Sequence, residues 1–141
     1  MAIGRFDEDK LKEIVIAKWR QGGLDRPVKV VPRGQPRRND STGYISQEKF
    51  IRGRTPEQME RVLGFDARPG QQYLSRGADI YHFTRVPGPH EFALKGYTQL
   101  PGGEPWAGDP QWPPGLGAPQ WELTKPVPCT LAKSVPRGTR Y

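Results

Sequence analysis

The two histidines are the side chains best suited to acid–base chemistry, and both lie in the second half of the chain. His82 stands in a strand-like run of aromatic and β-branched residues, and His90 is followed directly by Glu91. Together with Arg85 they supply a general base, a general acid and a cation, which metal-independent cleavage of RNA requires. Because strand alternation places His82 and Arg85 on opposite faces, the alternative is that His82 only faces a half-buried sheet.

A strongly basic segment lies upstream of the histidines, between residues 20 and 54. It contains nine lysines and arginines but only three acids, and most of the cations are arginines. The nine are Arg20, Arg26, Lys29, Arg33, Arg37, Arg38, Lys49, Arg52 and Arg54. A guanidinium group binds phosphate in a bidentate manner. The segment therefore predicts an electropositive wall for a phosphate-bearing ligand, with a solvated arginine-rich loop as the alternative.

The stretch 96–124 has the opposite character, because it contains no lysine or arginine. Its six prolines, six glycines and three of the four tryptophans oppose a long helix, yet the stretch is too aromatic for a free linker. We expect an ordered loop that forms one wall of a pocket, opposite the basic segment. Alternatively, Trp106, Trp112 and Trp121 form a surface for docking another protein.

Three short segments carry a resemblance to a known family. They are residues 43–46 (Gly-Tyr-Ile-Ser), residues 81–86 (Tyr-His-Phe-Thr-Arg-Val) and residues 115–121 (Gly-Leu-Gly-Ala-Pro-Gln-Trp). In this order they resemble segments of the tuberculosis-necrotizing-toxin family of NAD glycohydrolases and, more broadly, the C-terminal domains of bacterial polymorphic toxins. The family's Arg-x-Leu-Pro element has no counterpart in this chain.

The resemblance implies an enzyme that consumes NAD, either an NAD glycohydrolase or an ADP-ribosyltransferase. Gln120 would then act on the nicotinamide ribose. Glu122 lies two residues later on the same strand face and would be the glutamate that an ADP-ribosyltransferase usually needs. His82 is the third candidate catalytic residue and belongs to the ribonuclease alternative. A purely structural alternative is that Gln120 hydrogen-bonds only its own loop.

The binding residues are also assigned by the resemblance. An arginine such as Arg37, Arg38 or Arg54 would hold the diphosphate, and Tyr44 or Trp121 would stack on the nicotinamide ring. Trp121 has a second interpretation, since alternation points it away from the catalytic face of its strand. It is then expected to anchor that strand in the hydrophobic core.

Several other chemistries lack their sequence signals. The two histidines and the single cysteine show no spacing typical of zinc ligands, so we expect no metal. The chain contains neither a P-loop nor the Gly-x-Ser-x-Gly elbow of serine esterases. Cys129 cannot form an internal disulfide and is expected to be a buried thiol.

The net charge of +7 and the pI of about 9.8 predict attraction to polyanions. The candidates are a phosphate-bearing ligand, nucleic acid or an acidic protein, and a toxin would need an acidic immunity protein in the cell that makes it. No signal peptide and no membrane-spanning run are recognisable, so we expect secretion or delivery into a target cell by a specialised system. The non-catalytic alternative is a basic adaptor that binds nucleic acid or an acidic protein.

The predicted fold is a single α+β domain, 1–141, with a small, mainly antiparallel sheet and long ordered loops rich in Gly, Pro and Trp. An amphipathic helix is predicted over 7–21, and a capping box, Thr55-Pro56-Glu57-Gln58, predicts a second, short helix that ends at Leu63. These helices fall in a helical part, 7–64, which precedes a sheet-forming and loop-rich part, 65–141.

Strands are predicted at 28–31, 44–46, 79–86, 90–94 and 120–124. The segments 79–86 and 90–94 are expected to pair as a hairpin around a Pro-Gly-Pro turn. Prolines 126, 128 and 136 predict a broken tail, with at most a short edge strand at 130–133.

Overall fold

The computed structural model describes residues 13, 17, 26–63, 73–88, 90–99 and 116–141. In order, its elements are β1 (Pro27–Pro32), β2 (Asp40–Gln47), a 3-10 turn (Glu48–Phe50), α1 (Pro56–Val62), β3 (Gly77–Phe83), β4 (Phe92–Gln99) and β5 (Leu116–Pro136). Of the predicted helix 7–21, only Glu13 and Ala17 are described, and both are helical and exposed. The remainder of that prediction, together with Trp106 and Trp112, lies outside these ranges.

All pairings in the sheet are antiparallel, and four of the strands close on one another. β1 pairs with β2 and β3, and β5 pairs with both β2 and β3, so the four form a ring. β4 adds to the first half of β5. With one short helix packed beside the strands, this confirms the predicted α+β class with a mainly antiparallel sheet.

The strand β5 corrects two expectations. Residues 96–99 and 116–119 are strand rather than loop, the predicted strand at 120–124 is confirmed, and the proline-rich tail continues the same strand to Pro136. Proline removes only a donor, and the carbonyl of Pro128 still accepts a hydrogen bond from the Thr84 amide at 3.1 Å. Pro126 falls in the irregular stretch between Leu123 and Val127, where β5 slips against β2. The prolines thus occupy positions where a missing amide hydrogen is tolerated.

The predicted hairpin of 79–86 with 90–94 is wrong. β3 and β4 both pair with β5: β3 runs along residues 129–136, and β4 runs along residues 116–123. The chain leaves β3 after Phe83 and reaches β5 near Thr124, whose amide donates to the Glu91 carbonyl at 2.8 Å. Because β5 is 21 residues long, β3 and β4 can pair with separate segments of it.

The short helix confirms its sequence prediction to within one residue. The Thr55 hydroxyl accepts from the Gln58 amide at 3.3 Å, and the Gln58 side chain accepts from the Thr55 amide at 2.9 Å. This reciprocal cap satisfies two amides that a helix start leaves without partners. Met59 and Val62 bury the apolar face of the helix. No helix in the described ranges has the length and apolar character needed to cross a membrane.

The strands separate two apolar clusters. The larger one includes Val28, Ile80 and the fully buried Trp121, and the smaller one consists of Val31, Tyr81 and Cys129. Neighbouring residues 80 and 81 fall in different clusters, which confirms the predicted alternation in β3. Cys129 is buried as expected, and burial raises the pKa of its thiol.

Candidate functional sites

The predicted site residues fall on two faces of the same strands. Val28 is the register partner of His82, and Lys29 is the register partner of Tyr81. Since register partners share a face and successive residues alternate, His82 lies on the face of the larger core, and Lys29 lies on the opposite face. We call Lys29, Arg38, Tyr44 and Glu122 the lysine cluster, and Glu48, His82 and Tyr141 the histidine cluster.

The lysine cluster is built around two residues that face each other across strands. Tyr44 on β2 and Glu122 on β5 are register partners. Tyr44 is 54% exposed, whereas Glu122 is half-buried. Within the described part of the chain, no group donates a hydrogen bond to the Glu122 carboxylate. An exposed aromatic ring therefore lies beside a carboxylate that retains its capacity to accept hydrogen bonds.

Lys29 enters this cluster from the neighbouring strand β1. Its ammonium donates to the carbonyl oxygens of Thr42 at 3.1 Å and Tyr44 at 2.7 Å. Burial and the charge of Arg38 lower the pKa of Lys29 to about 8, while Cys129 and Glu122 oppose that shift. No local sequence signal distinguishes Lys29 from the other basic residues, because its partners lie 13 and 15 residues away.

Arg38 completes the lysine cluster. Its guanidinium donates to the Ser41 hydroxyl at 3.3 Å and to the Gln35 side chain at 3.1 Å. It also lies over the Tyr81 ring, 5.7 Å from the centroid. These contacts hold a cation beside Lys29, while the adjacent Arg37 is exposed. Of the predicted site residues, the structure thus brings Arg38, Tyr44 and Glu122 together.

The histidine cluster is a connected chain of three polar side chains. His82 Nε2 lies 2.9 Å from the Tyr141 hydroxyl, which donates to Glu48 Oε1 at 3.0 Å. The distance between His82 Nε2 and Glu48 Oε1 is 3.6 Å. Arg52 contacts the same carboxylate group at 3.3 Å. Each member therefore already has a partner within the cluster.

The phenol of Tyr141 is a weaker acid than a free tyrosine. Burial, followed by the charge of Glu48 and the hydrogen bond to it, raises the pKa of Tyr141 to about 12. The phenol is therefore neutral at physiological pH, where it donates a proton to the hydrogen bond with Glu48. A hydroxyl between an imidazole and a carboxylate can relay a proton between them.

The end of the chain brings Tyr141 to His82. The Arg137 guanidinium contacts Glu60 on α1 at 2.6 Å, and the Arg140 guanidinium donates to the Gly53 carbonyl at 2.7 Å. The Tyr141 amide donates to the Arg54 carbonyl at 2.9 Å. No local sequence signal foretells this docking, because it joins residues that are far apart along the chain.

The hairpin expected to bring Arg85, His90 and Glu91 to His82 does not form, because β3 and β4 pair with different parts of β5. Arg85 and Glu91 form a bidentate ion pair with distances of 2.6 and 2.7 Å. The hydrogen bond from Arg85, with one from the Gly88 amide, lowers the pKa of Glu91 to about 2. Arg85 lies in a bend beyond β3, and this ion pair closes the connection toward β4.

The remaining predictions have mixed outcomes. Trp121 is completely buried, so its predicted stacking on nicotinamide is wrong, whereas its role as a core anchor is confirmed. Arg54 lies at the docked chain end rather than beside Arg38. Gln120 belongs to β5 opposite Gly96, but its side chain is outside the described structure. The described residues contain no group of three or more His, Cys, Asp or Glu side chains that could hold a metal ion.

Comparison with protein-family models, with curated proteins and with solved structures gives no match for this chain.

Proposed function

We propose that this protein is a small toxin or effector enzyme that consumes NAD at the lysine cluster. The observation that carries the proposal is the half-buried Glu122 carboxylate, which has no hydrogen-bond donor in the described structure and faces the exposed ring of Tyr44. Lys29 and Arg38 supply positive charge beside them. The resemblance of residues 43–46 and 115–121 to NAD glycohydrolases supports the same assignment.

The chemistry requires few groups. When the bond between nicotinamide and ribose breaks, positive charge develops on the ribose, and a carboxylate beside it stabilises that charge. Glu122 fits this role, and the exposed ring of Tyr44 offers a surface on which nicotinamide stacks. Arg38 and the exposed Arg37 fit the diphosphate, because guanidinium groups bind phosphate oxygens in pairs. Gln120 keeps the role that the resemblance implies, on the same strand as Glu122.

Product analysis tests this proposal directly. We expect purified protein to release nicotinamide from NAD, with ADP-ribose appearing either free or attached to an added protein. Free ADP-ribose identifies a glycohydrolase, and the attached form identifies a transferase. Turnover should fall by orders of magnitude in Gln120→Ala, whereas Glu13→Gln serves as the control because residue 13 is exposed. Normal turnover in a folded Gln120→Ala protein would remove the central residue of the resemblance.

Metal-independent cleavage of RNA is the second candidate, and the histidine cluster favours it. A base removes the proton of the ribose 2′-hydroxyl, this oxygen attacks phosphorus, and the departing 5′-oxygen receives a proton. The linked His82, Tyr141 and Glu48 provide proton acceptors and donors, and Arg52 provides a cation. Incubation with total RNA in the presence of a chelator tests it, and RNA fragments that disappear with His82→Ala would support it.

An acidic immunity protein is the proposed partner, and delivery by a specialised secretion system is the proposed route to the target cell. Exposed arginines provide the complementary charge, because opposite potentials accelerate association. Those of the basic segment in the described structure are Arg26, Arg33, Arg37 and Arg52. Cells that make the soluble protein alone should stop growing. Normal growth at confirmed soluble expression would count against a toxin.

A further inference from the structure

The backbone of β2 leaves regular pairing just before Tyr44. Its register against β5 shifts between Ser41 and Gly43, and Gly43 has a φ of +76°. The extra residues of this bulge lie on β5, between Leu123 and Val127, and β2 faces them at Thr42. Bulges change the local direction of the paired strands and are common beside active sites. The direction of Tyr44 relative to Glu122 therefore depends on what holds this irregular stretch in place.

The Lys29 ammonium holds both sides of the bulge. It donates to the carbonyl of Thr42 before Gly43 and to the carbonyl of Tyr44 after it, at 3.1 and 2.7 Å. A Cβ atom added to Gly43 would lie 3.3 Å from Lys29 Nζ, so the ammonium sits directly against this glycine. Hydrogen bonds from a charged donor are about twice as strong as neutral ones. The Lys29 ammonium on β1 therefore stabilises the backbone of β2 at this irregular stretch.

We propose that Lys29 is a positioning residue whose protonated form aligns Tyr44 with Glu122, so that loss of its proton lowers the activity of the site. This inference rests on the proposed function, in which the aligned pair receives NAD. Lys29 acts through the backbone of residues 42–44 and not by touching the substrate. A neutral amine retains two N–H groups but forms weaker hydrogen bonds and loses its attraction to Glu122.

The surroundings of Lys29 place the loss of its proton in a pH range in which the protein can be studied. Among the described residues, the charged or titratable groups around Lys29 are Arg38, Tyr44, Tyr81, Glu122 and Cys129. Burial and Arg38 bring the pKa of Lys29 down from 10.5 to about 8 against the opposing effects of Glu122 and Cys129. The ammonium is therefore mostly present at pH 7 and mostly absent at pH 9.

A pH titration followed by nuclear magnetic resonance tests the alignment without any substrate. We expect the Lys29 side-chain signals and the Tyr44 ring signals to shift with one shared midpoint near pH 8. In Lys29→Met the Tyr44 signals should lose that midpoint. Lys133→Met is the matched control, because this exposed lysine also lies on a strand and its loss removes the same charge. Tyr44 signals that stay unmoved while Lys29 titrates would overturn the inference.

Kinetics then connects the alignment to catalysis. We expect wild-type kcat/KM for NAD to fall as the pH rises through 8, and Lys29→Arg, which stays charged, to weaken that fall. Lys29→Met should lower kcat/KM at pH 7 by roughly 10- to 100-fold, the scale expected for a displaced reacting group. Full turnover in Lys29→Met would overturn the inference while leaving the proposed function intact. No NAD turnover in the wild type would overturn the proposed function, and the resonance titration would still decide whether Lys29 aligns Tyr44. If Lys29→Met does not fold, the wild-type titration alone decides.

Discussion

The lysine and histidine clusters lie on opposite faces of the same sheet and differ in how completely their polar groups are paired. In the histidine cluster, the Tyr141 hydroxyl bridges His82 and Glu48. In the lysine cluster, the cations are hydrogen-bonded, but the half-buried Glu122 carboxylate receives no hydrogen bond within the described structure. A half-exposed carboxylate with no donor among the described residues is accessible to a ligand, which is why the proposed site is placed there. A fully paired group contributes first to stability.

The comparison also shows two opposite uses of burial. Burial destabilises the charged form of both groups. It lowers the pKa of Lys29 and raises the pKa of Tyr141, so both groups favour their neutral forms. Lys29 is nevertheless charged at neutral pH, where that charge opposes stability, whereas Tyr141 is neutral there. Charge that is retained at a cost to stability is typical of functional sites.

The largest expected effect comes from comparing a substitution in the lysine cluster with one in the histidine cluster. We expect Glu122→Gln to lower NAD turnover by roughly 100- to 10,000-fold, because a neutral amide cannot stabilise positive charge on the ribose. His82→Ala should leave NAD turnover within about twofold, since it lies on the other face of β3. Nicotinamide release by the two folded variants is the measurement. The reverse result would move the active site to the histidine cluster.

The second largest effect concerns stability and separates the two aromatic residues predicted to bind nicotinamide. Trp121→Ala should lower the free energy of unfolding by roughly 3–5 kcal/mol, because it empties a fully buried site in the core. Tyr44→Ala should change it by about 0.5 kcal/mol or less, since the ring is more than half exposed. Urea unfolding of both variants provides the values. Equal losses would contradict the assignment of Tyr44 to ligand binding.

A smaller effect is expected from the phenol that joins the histidine cluster. Tyr141→Phe keeps the ring but removes the hydrogen bonds to His82 and Glu48. We expect a loss of about 1 kcal/mol in unfolding free energy, the usual net value for such bonds. NAD turnover should stay unchanged at pH 7. If turnover instead fell with stability intact, the chain end would belong to the active site.

The smallest expected effect is the opposite pH dependence of stability that Lys29 and Tyr141 contribute. The unfolded chain keeps the Lys29 proton up to pH 10.5 and the folded chain releases it near 8, so this group adds stability as the pH rises from 8 to 10.5. For Tyr141 the folded chain keeps its proton to about 12 while the unfolded chain loses it at 10, so stability is lost over that range. Difference curves of unfolding free energy for Lys29→Met and Tyr141→Phe should isolate the two trends, and curves of the same sign would refute the contrast.

Features that depend on neighbouring residues could be predicted from the sequence. The cap of α1 joins Thr55 to Gln58, three positions apart, and alternation in β3 separates Ile80 from Tyr81. Alternation likewise marked Trp121 as a core residue. Hydrogen bonds within one turn and the two-residue period of a strand act over a few residues, so their consequences are visible in the sequence.

Contacts between distant residues could not be predicted from the sequence, because they depend on how the whole chain packs. Lys29 on β1 donates a hydrogen bond to the carbonyl of Tyr44 on the neighbouring strand β2. Tyr141 contacts His82, which lies 59 positions earlier in the sequence. The prolines of β5 suggested a broken tail, but the strand persists because its neighbours pair with the carbonyls and tolerate the missing amides. Strand order and register arise from the packing of the whole chain, since a local run of residues specifies that a strand forms but not which strand will be its partner.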